Sequence, residues 1–181
     1  KGKSRGVSTG KRTYNKGGSL SVQKRRKIIF FLYLILVVKL VIFKYPIEDL
    51  KAIAASWQKD VILEGLYTAN FTLFKTIRMY IDYAYKLNSF ENLVGNIVLF
   101  IPFGFLLPLC MKQGCNFFVM LLNAFLFVLG IEVFQLFSAF GAFDVDDILL
   151  NCLGAVMGYC LYIIAKAIKK QKRKKERQEN G

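Results

Sequence analysis

The sequence contains no histidine, and this absence limits the chemistry that the protein can perform. A zinc site with histidine ligands is excluded, and so is acid or base catalysis by an imidazole. Carboxylates are the groups left for proton or metal chemistry, yet only 12 Asp and Glu stand against 26 Lys and Arg. Cysteines are few as well. The four that occur lie in or beside apolar runs, so a secreted fold held by disulfides is not expected.

Long apolar runs are what the sequence has in abundance. Hydrophobic residues make up 55% of the chain and concentrate in residues 28–43, 93–111, 117–137 and 148–165. Runs of this kind are typical of membrane-spanning helices. The first run reaches only about 24 Å across a core of roughly 30 Å, so we expect its lysines to extend toward the interfaces. The sequence predicts an all-α polytopic membrane protein with four transmembrane helices.

The cations are concentrated at the two ends of the chain, whose net charge is +14. Residues 1–27 carry ten Lys and Arg and no acid, and residues 166–181 carry eight against two acids. By the positive-inside rule, both termini then lie in the cytoplasm. We therefore expect a multi-pass cell-membrane protein with a disordered basic cytoplasmic tail at 1–27, a membrane domain at 28–165 and a second basic cytoplasmic tail at 166–181.

The basic tails indicate a lipid partner. They are almost without aromatic residues, so they do not resemble a stacking surface for single-stranded nucleic acid, and no nucleic-acid partner is expected. Contact with anionic headgroups is a simpler role, at about 1 kcal/mol for each cation near the surface. Membrane lipids are therefore the expected partners of the tails.

The segment between the first two spans, residues 44–92, is predicted to be extracytoplasmic. Its cations and acids balance, six against six. Lys75, Arg78 and Asp82 are spaced by three and then four residues, which indicates an amphipathic surface helix. The two cations could pair with acids of the spans or hold a lipid phosphate. The alternative is a plain interfacial helix, with Trp57 as a further interfacial anchor.

Polar residues of three predicted spans fall at one depth, near the outer leaflet. Helical spacing places Glu132 with Gln135, and Asp147 with Asn151, on shared faces. Acids within a membrane are costly and usually face a cavity, a partner or a water path. The sequence thus predicts one outward-facing polar site, and since the aspartate spacing fits no calcium loop, no metal or cofactor is assigned. The candidate substrate-binding residues are Asn96, Glu132, Gln135, Asp144, Asp146, Asp147, Asn151 and Lys75.

A structural interpretation of the same residues stays open. The three amides of the spans could join helices by hydrogen bonds, at about 0.6 kcal/mol each. The three aspartates could cap the fourth helix and complement its dipole. For Glu132, a role in the site is favoured over a purely structural one, because this acid lies within an apolar run. Gly154 and Gly158 have a G-x-x-x-G spacing, which permits close approach of another helix, and Pro102 and Pro108 predict a kinked or broken second span.

Four blocks of the sequence resemble motifs of the VanZ-like membrane family, in the same order. Residues 96–104, NIVLFIPFG, resemble its N-x-x-x-F-x-P-x-G run, and residues 132–135, EVFQ, resemble its E-x-x-Q. Residues 144–154 resemble its D-x-D-D-x-x-x-N-x-x-G run. Residues 70–77, NFTLFKTI, are similar to N-L-I-P-F-K-T-I, with Leu73 in place of the Pro.

The resemblance implies a small polytopic bacterial protein. The namesake of the family is linked to low-level resistance to teicoplanin, a lipoglycopeptide that binds the D-Ala-D-Ala ends of cell-wall precursors. The leading hypothesis is therefore a cell-envelope factor whose outer polar site engages a lipid-linked precursor or a lipoglycopeptide. Gly141 stands where many members carry Arg, which removes one partner for the acidic residues.

Two other functions remain open. A membrane-embedded enzyme acting on a lipid-linked or anionic lipid substrate could use Glu132 or Asp147 as a base, with or without Mg²⁺. A small transporter could use Pro102 and Pro108 as hinges, but four spans would then have to oligomerise. The residues alone decide neither whether a reaction is catalysed nor how many copies assemble.

Overall fold

A computed structural model of the protein describes residues 16–42, 48, 51–52, 55, 60–83, 87–111, 115–138 and 140–179. These ranges contain helices and no β-strand, which confirms the all-α prediction. The predicted anchor Trp57 lies outside the described residues. The helices are α1 (Lys16–Ile42), α2 (Asp60–Thr68), α3 (Lys75–Asp82), α4 (Leu87–Cys110), α5 (Phe117–Ser138) and α6 (Val145–Glu179).

Three helices within the described ranges are long and apolar enough to cross a membrane. They are α4 from Asn92 to Cys110, α5, and α6. This agrees with a multi-pass membrane protein. Residues 28–42 of the first predicted run lie within α1, which is not among the three, so a fourth span stays a prediction. The second span is not broken, because α4 continues as a helix through Pro102 and Pro108.

α1 lies antiparallel to α4. Near the start of α1, the Gln23 side-chain amide donates to the carbonyl oxygen of Cys110 at 2.7 Å. Further along, the Tyr33 hydroxyl donates to the carbonyl oxygen of Leu99, also at 2.7 Å. Because the residue numbers rise along α1 while they fall along α4, the two helices run in opposite directions side by side.

Aromatic rings fill the space between α1, α4 and α5. The ring centroid of Phe103 lies 5.5 Å from that of Phe30 and 5.6 Å from that of Phe127. Such ring pairs stabilise the packing beyond what the burial of apolar area contributes. The opposite faces of these helices expose large apolar side chains, which in a soluble protein would be unusual in such number. Examples are Phe31, Val98, Phe118 and Leu126.

α4 and α6 lie parallel and touch through backbone atoms. A Cβ atom added at Gly154 would overlap the carbonyl oxygen of Ile97, and one added at Gly158 would overlap that of Ile101. On the facing helix, Gly104 has no room for a side chain either. The G-x-x-x-G spacing is therefore used for close helix packing, as small residues are in membrane bundles.

The bundle has two chemically different ends. At one end, which we call the basic end, the thiol of Cys110 donates to the carbonyl oxygen of Arg26 at 3.4 Å. At the opposite end, which we call the polar end, the turn between α2 and α3 meets the start of α6. Polar side chains from α3, α4, α5 and α6 converge only at this second end among the described residues, and it positions the candidate site.

Candidate functional site at the polar end

The turn between α2 and α3 is hydrogen-bonded to the segment that leads into α6. The Asn70 N–H donates to the carbonyl oxygen of Phe143 at 2.8 Å, and the Val145 N–H donates to that of Asn70 at 3.0 Å. These bonds form an isolated parallel bridge between Asn70 and Asp144. Backbone groups that have no partner within a helix are satisfied in this way, and the turn is held in place.

Asp146 caps the N-terminus of α3 from a different helix. Its Oδ1 accepts the Phe74 N–H at 2.6 Å, and its Oδ2 accepts those of Thr76 at 2.8 Å and Ile77 at 3.2 Å. The first N–H groups of a helix lack partners in the helix, and negative charge is favourable there. Phe74 has a φ of 65°, a left-handed conformation that costs a bulky residue energy, and its bond to the fully buried Asp146 holds it there.

Asp144 joins three elements at once. Its Oδ1 accepts the Asn70 side-chain amide at 2.9 Å and the Asp146 N–H at 2.8 Å, and its Oδ2 accepts the Thr76 hydroxyl at 2.5 Å. The bond from the Asp146 N–H caps α6, as the structural interpretation of the sequence predicted. The two aspartates therefore have different structural roles, since Asp144 caps its own helix and Asp146 caps α3.

Glu132 attaches α5 to the same point. Its side chain is only 1% exposed, and its Oε2 accepts the N–H of Asp144 at 2.9 Å. A buried backbone N–H is costly to leave without a partner, and the Glu132 oxygen satisfies this one. Glu132 thereby helps to fix the start of α6, and a role in binding or catalysis at this position stays a prediction.

Asp147 lies against α4. Its Oδ1 accepts the Asn96 side-chain amide at 2.7 Å, and both residues are half-buried. Tyr80 of α3 lies nearby: burial and then the carboxylates of Asp147 and Asp144 raise its pKa, while a hydrogen bond with Asn92 opposes the rise. We call Tyr80, Asn92, Asn96 and Asp147 the Asp147 cluster. Its carboxylate, phenol and amides offer both donors and acceptors, which suits the binding of a polar ligand.

The other three candidates are placed differently. Gln135 turns toward α1, where its amide donates to the carbonyl oxygen of Val41 at 3.4 Å. Asn151, one turn beyond Asp147, is 3% exposed, and its Oδ1 has no hydrogen-bond partner among the described residues. Lys75 is exposed in a surface groove that the Asp147 cluster does not line. The structure thus brings together five of the eight candidates: Asn96, Glu132, Asp144, Asp146 and Asp147.

Three residues of the polar end were not predicted as site residues: Asn70, Thr76 and Tyr80. The first two lie in the block NFTLFKTI, so the resemblance of that block to a family motif was the available signal. Tyr80 follows Thr76 by one helical turn and so shares its face. Its spacing alone gave no signal, because a tyrosine in a surface helix is usually an interfacial anchor.

Protein donors occupy most of the carboxylate oxygens of the polar end. Among the described residues, no group of three or more acidic or cysteine side chains could hold a metal ion. The oxygens of Asp144 and Asp146 each accept bonds from protein donors already. The Asp147 cluster presents amides, a phenol and a carboxylate as hydrogen-bonding groups.

A sequence profile of the VanZ/LLP1 family matches residues 30–166, about three quarters of the chain. The chain belongs to the VanZ/LLP1 family. This finding confirms the resemblance that the four motif blocks indicated. The region shared with VanZ/LLP1 proteins includes the second half of α1, the whole of α2 to α5 and the apolar part of α6.

A VanZ/LLP1 relative gives a more specific comparison. Protein VanZ of Enterococcus faecium is 33% identical over 89 residues, which are 47% of this chain and 52% of that protein. The chain therefore spans about half the length of the curated relative that it matches. No solved structure is significantly similar to the chain.

Proposed function

We propose that this VanZ/LLP1 protein is a cell-envelope factor in glycopeptide resistance of the teicoplanin type. It crosses the cell membrane four times, with both termini in the cytoplasm and the polar end facing outward. At that end, the Asp147 cluster engages a lipid-linked cell-wall precursor or the lipoglycopeptide itself.

Two observations support the four-span topology. α1 runs antiparallel to α4, and its residue Val37 is fully buried in the core of the bundle. The cations at residues 24–27 lie at the same end as Cys110. α6 also continues toward this end as a Lys- and Arg-rich helix beyond Lys166. A cytoplasmic location of the basic end follows from the positive-inside rule.

The observation that carries the proposed site is the different environment of the three neighbouring aspartates. Asp144 and Asp146 each accept three hydrogen bonds. Five of the six come from the α2–α3 turn and α3, and the sixth, from the Asp146 N–H, caps α6. Asp147 is half-buried and is bonded by Asn96, an amide from another helix. Asp147 and Asn96 are then the groups that a ligand approaches, while Asp144 and Asp146 position the helices around them.

The test is susceptibility to teicoplanin and to vancomycin in a Gram-positive host that expresses the chain. We expect the wild type to raise teicoplanin tolerance selectively, and we expect Asp147→Asn and Asn96→Ala to abolish the increase. Asn123→Ala is the matched control, since Asn123 is an exposed amide of α5 that bonds only to its own helix at Val119 in the described contacts. Membrane abundance of each variant is measured alongside.

Two results would contradict the proposal. If the wild type left both susceptibilities unchanged at normal membrane abundance, the resistance function would be wrong for this chain. If Asn123→Ala lost tolerance to the same extent as Asn96→Ala, the Asp147 cluster would not be the site.

A further inference from the structure

We propose that a surface groove along α3, separate from the Asp147 cluster, binds the phosphate of an anionic phospholipid in the outer leaflet. The groove encloses about 420 Å³ and is open to the surface. Polar side chains and apolar side chains line it together. Its polar lining includes Lys75, Arg78 and Asp82, and its apolar lining includes Leu73, Phe74 and Met79.

The charge of the groove fits a phosphodiester. Lys75 and Arg78 are three residues apart, so their side chains lie on one face of the helix, and both are exposed. With Asp82 included, the three ionisable side chains carry a net charge of +1, which one phosphodiester group neutralises. The planar guanidinium of Arg78 can hold two phosphate oxygens at once, while Lys75 supplies a mobile point charge.

The apolar flank of the groove distinguishes a lipid from a free phosphate. Leu73, Phe74 and Met79 are each half-exposed, and Phe71 of the same turn is more exposed still. Apolar side chains beside cations are typical of segments that lie in the interface, where the apolar groups enter the acyl region and the cations meet headgroups. A phosphate without acyl chains would leave these side chains in water.

The attachment of α3 to α6 sets the depth of the groove relative to the membrane. Asp146 caps α3 and lies in the first turn of α6, one of the helices apolar enough to cross a membrane. α3 therefore lies at the level where α6 begins, which is the level of lipid headgroups if α6 spans the bilayer. This placement does not depend on the resistance function or on the Asp147 cluster, and only the assignment to the outer leaflet rests on the proposed topology.

The test is equilibrium binding of fluorescent phosphatidylglycerol to the detergent-purified protein, with fluorescent phosphatidylcholine as the neutral comparison. We expect Lys75→Gln with Arg78→Gln to weaken phosphatidylglycerol binding by about thirtyfold, about fivefold for each cation removed. Lys169→Gln with Lys170→Gln is the matched control, because it removes the same charge from exposed positions of α6 beyond the basic end. Circular dichroism verifies that each variant keeps its helix content.

Each outcome decides the proposal. Weaker phosphatidylglycerol binding in the Lys75 and Arg78 double variant alone supports it. Weaker phosphatidylglycerol binding by Leu73→Asn supports it as well, if glycerol phosphate also fails to compete with the lipid. Equal loss in the two double variants would overturn it, since binding would then reflect only the total charge. Equal affinity for phosphatidylcholine would overturn it as well, and full displacement by glycerol phosphate would show a free-phosphate site instead.

Discussion

α6 is joined to the rest of the protein in two different ways at two different depths. At the polar end, Asp144 and Asp146 bind the α2–α3 turn and α3 through directed hydrogen bonds. Further along the same helix, Gly154 and Gly158 place its backbone directly against the backbone of α4. The first contact depends on the charge of a few oxygen atoms, and the second depends on the absence of side chains.

The two contacts therefore differ in what their loss would do. α3 has only eight residues, and a helix of this length is marginal in isolation, so its position depends on the cap that Asp146 supplies. Its release would leave the long helices in contact with one another. The glycine contact cannot be lost without disturbing the long helices, because α4 and α6 must then separate along their length.

Gly158→Val is expected to have the largest effect. Its Cβ would overlap the carbonyl oxygen of Ile101 and would lie 3.0 Å from the backbone nitrogen of Phe105. Rotation of a side chain cannot move these atoms, so the helices must separate, at a cost on the order of 3 kcal/mol. Thermal unfolding in detergent measures the loss. Gly130→Val is the matched control, since nothing lies within 4 Å of a Cβ added at Gly130. An unchanged midpoint in Gly158→Val would contradict the packing.

Asp146→Asn is expected to have a smaller and more local effect. The amide keeps one acceptor oxygen, loses the charge and places an NH₂ donor against the N–H groups of α3. The packing of α3 against α6 should therefore be destabilised by about 2 to 3 kcal/mol. We expect faster hydrogen exchange at the amides of Thr76 and Ile77, with little change in the exchange of α4 and α5. Asp82→Asn on the same helix is the control. Comparable acceleration in both variants would show that the cap does not hold α3.

The positions of the helices and of the polar end could be predicted because both follow from one-dimensional patterns. The predicted run at 117–137 begins at the first residue of α5 and ends one residue before the helix does. The predicted run at 93–111 agrees with the apolar part of α4 to within one residue at each end. Asn96, Glu132 and Asp147 meet because the apolar parts of α4, α5 and α6 begin or end at the same level, which brings the residues near those ends together.

The partners of each carboxylate could not be predicted from the same patterns. An aspartate such as Asp146 can accept from any N–H within reach, and its donors belong to a helix that lies 70 residues earlier in the chain. The spacing of Lys75, Arg78 and Asp82 predicted a helix, and these residues lie on α3, but it did not predict that a turn at Asn70 to Phe74 separates α3 from α2. That division depends on the side chain of Asn70, which accepts the Thr72 N–H at 3.0 Å, and on the left-handed Phe74.

The smallest expected effect is a change in one titration at the boundary between α3 and α6. Burial raises the pKa of Tyr80, and the carboxylates of Asp147 and Asp144 raise it further. The folded protein thus holds the phenol proton more tightly than the unfolded chain does. The stability gained is complete below the unfolded pKa of about 10 and is lost as the pH rises through the higher folded value.

Asp147→Asn removes one of the two charges, so the pKa of Tyr80 should fall toward its ordinary value. The loss of stability above the unfolded pKa should then be smaller and should end at a lower pH. The titration of Tyr80 is isolated as the difference in tyrosinate absorbance between a protein and its Tyr80→Phe variant. This difference is measured once with Asp147 present and once in the Asp147→Asn background. Asp82→Asn is the control, because Asp82 is not among the groups that raise this pKa. If the Tyr80 pKa did not change in Asp147→Asn, α3 would not bring the phenol to Asp147, and the cluster would reduce to residues of α4 and α6. The hydrogen-bonded contact would then be confined to the α3 cap, away from the side chains proposed to meet a ligand.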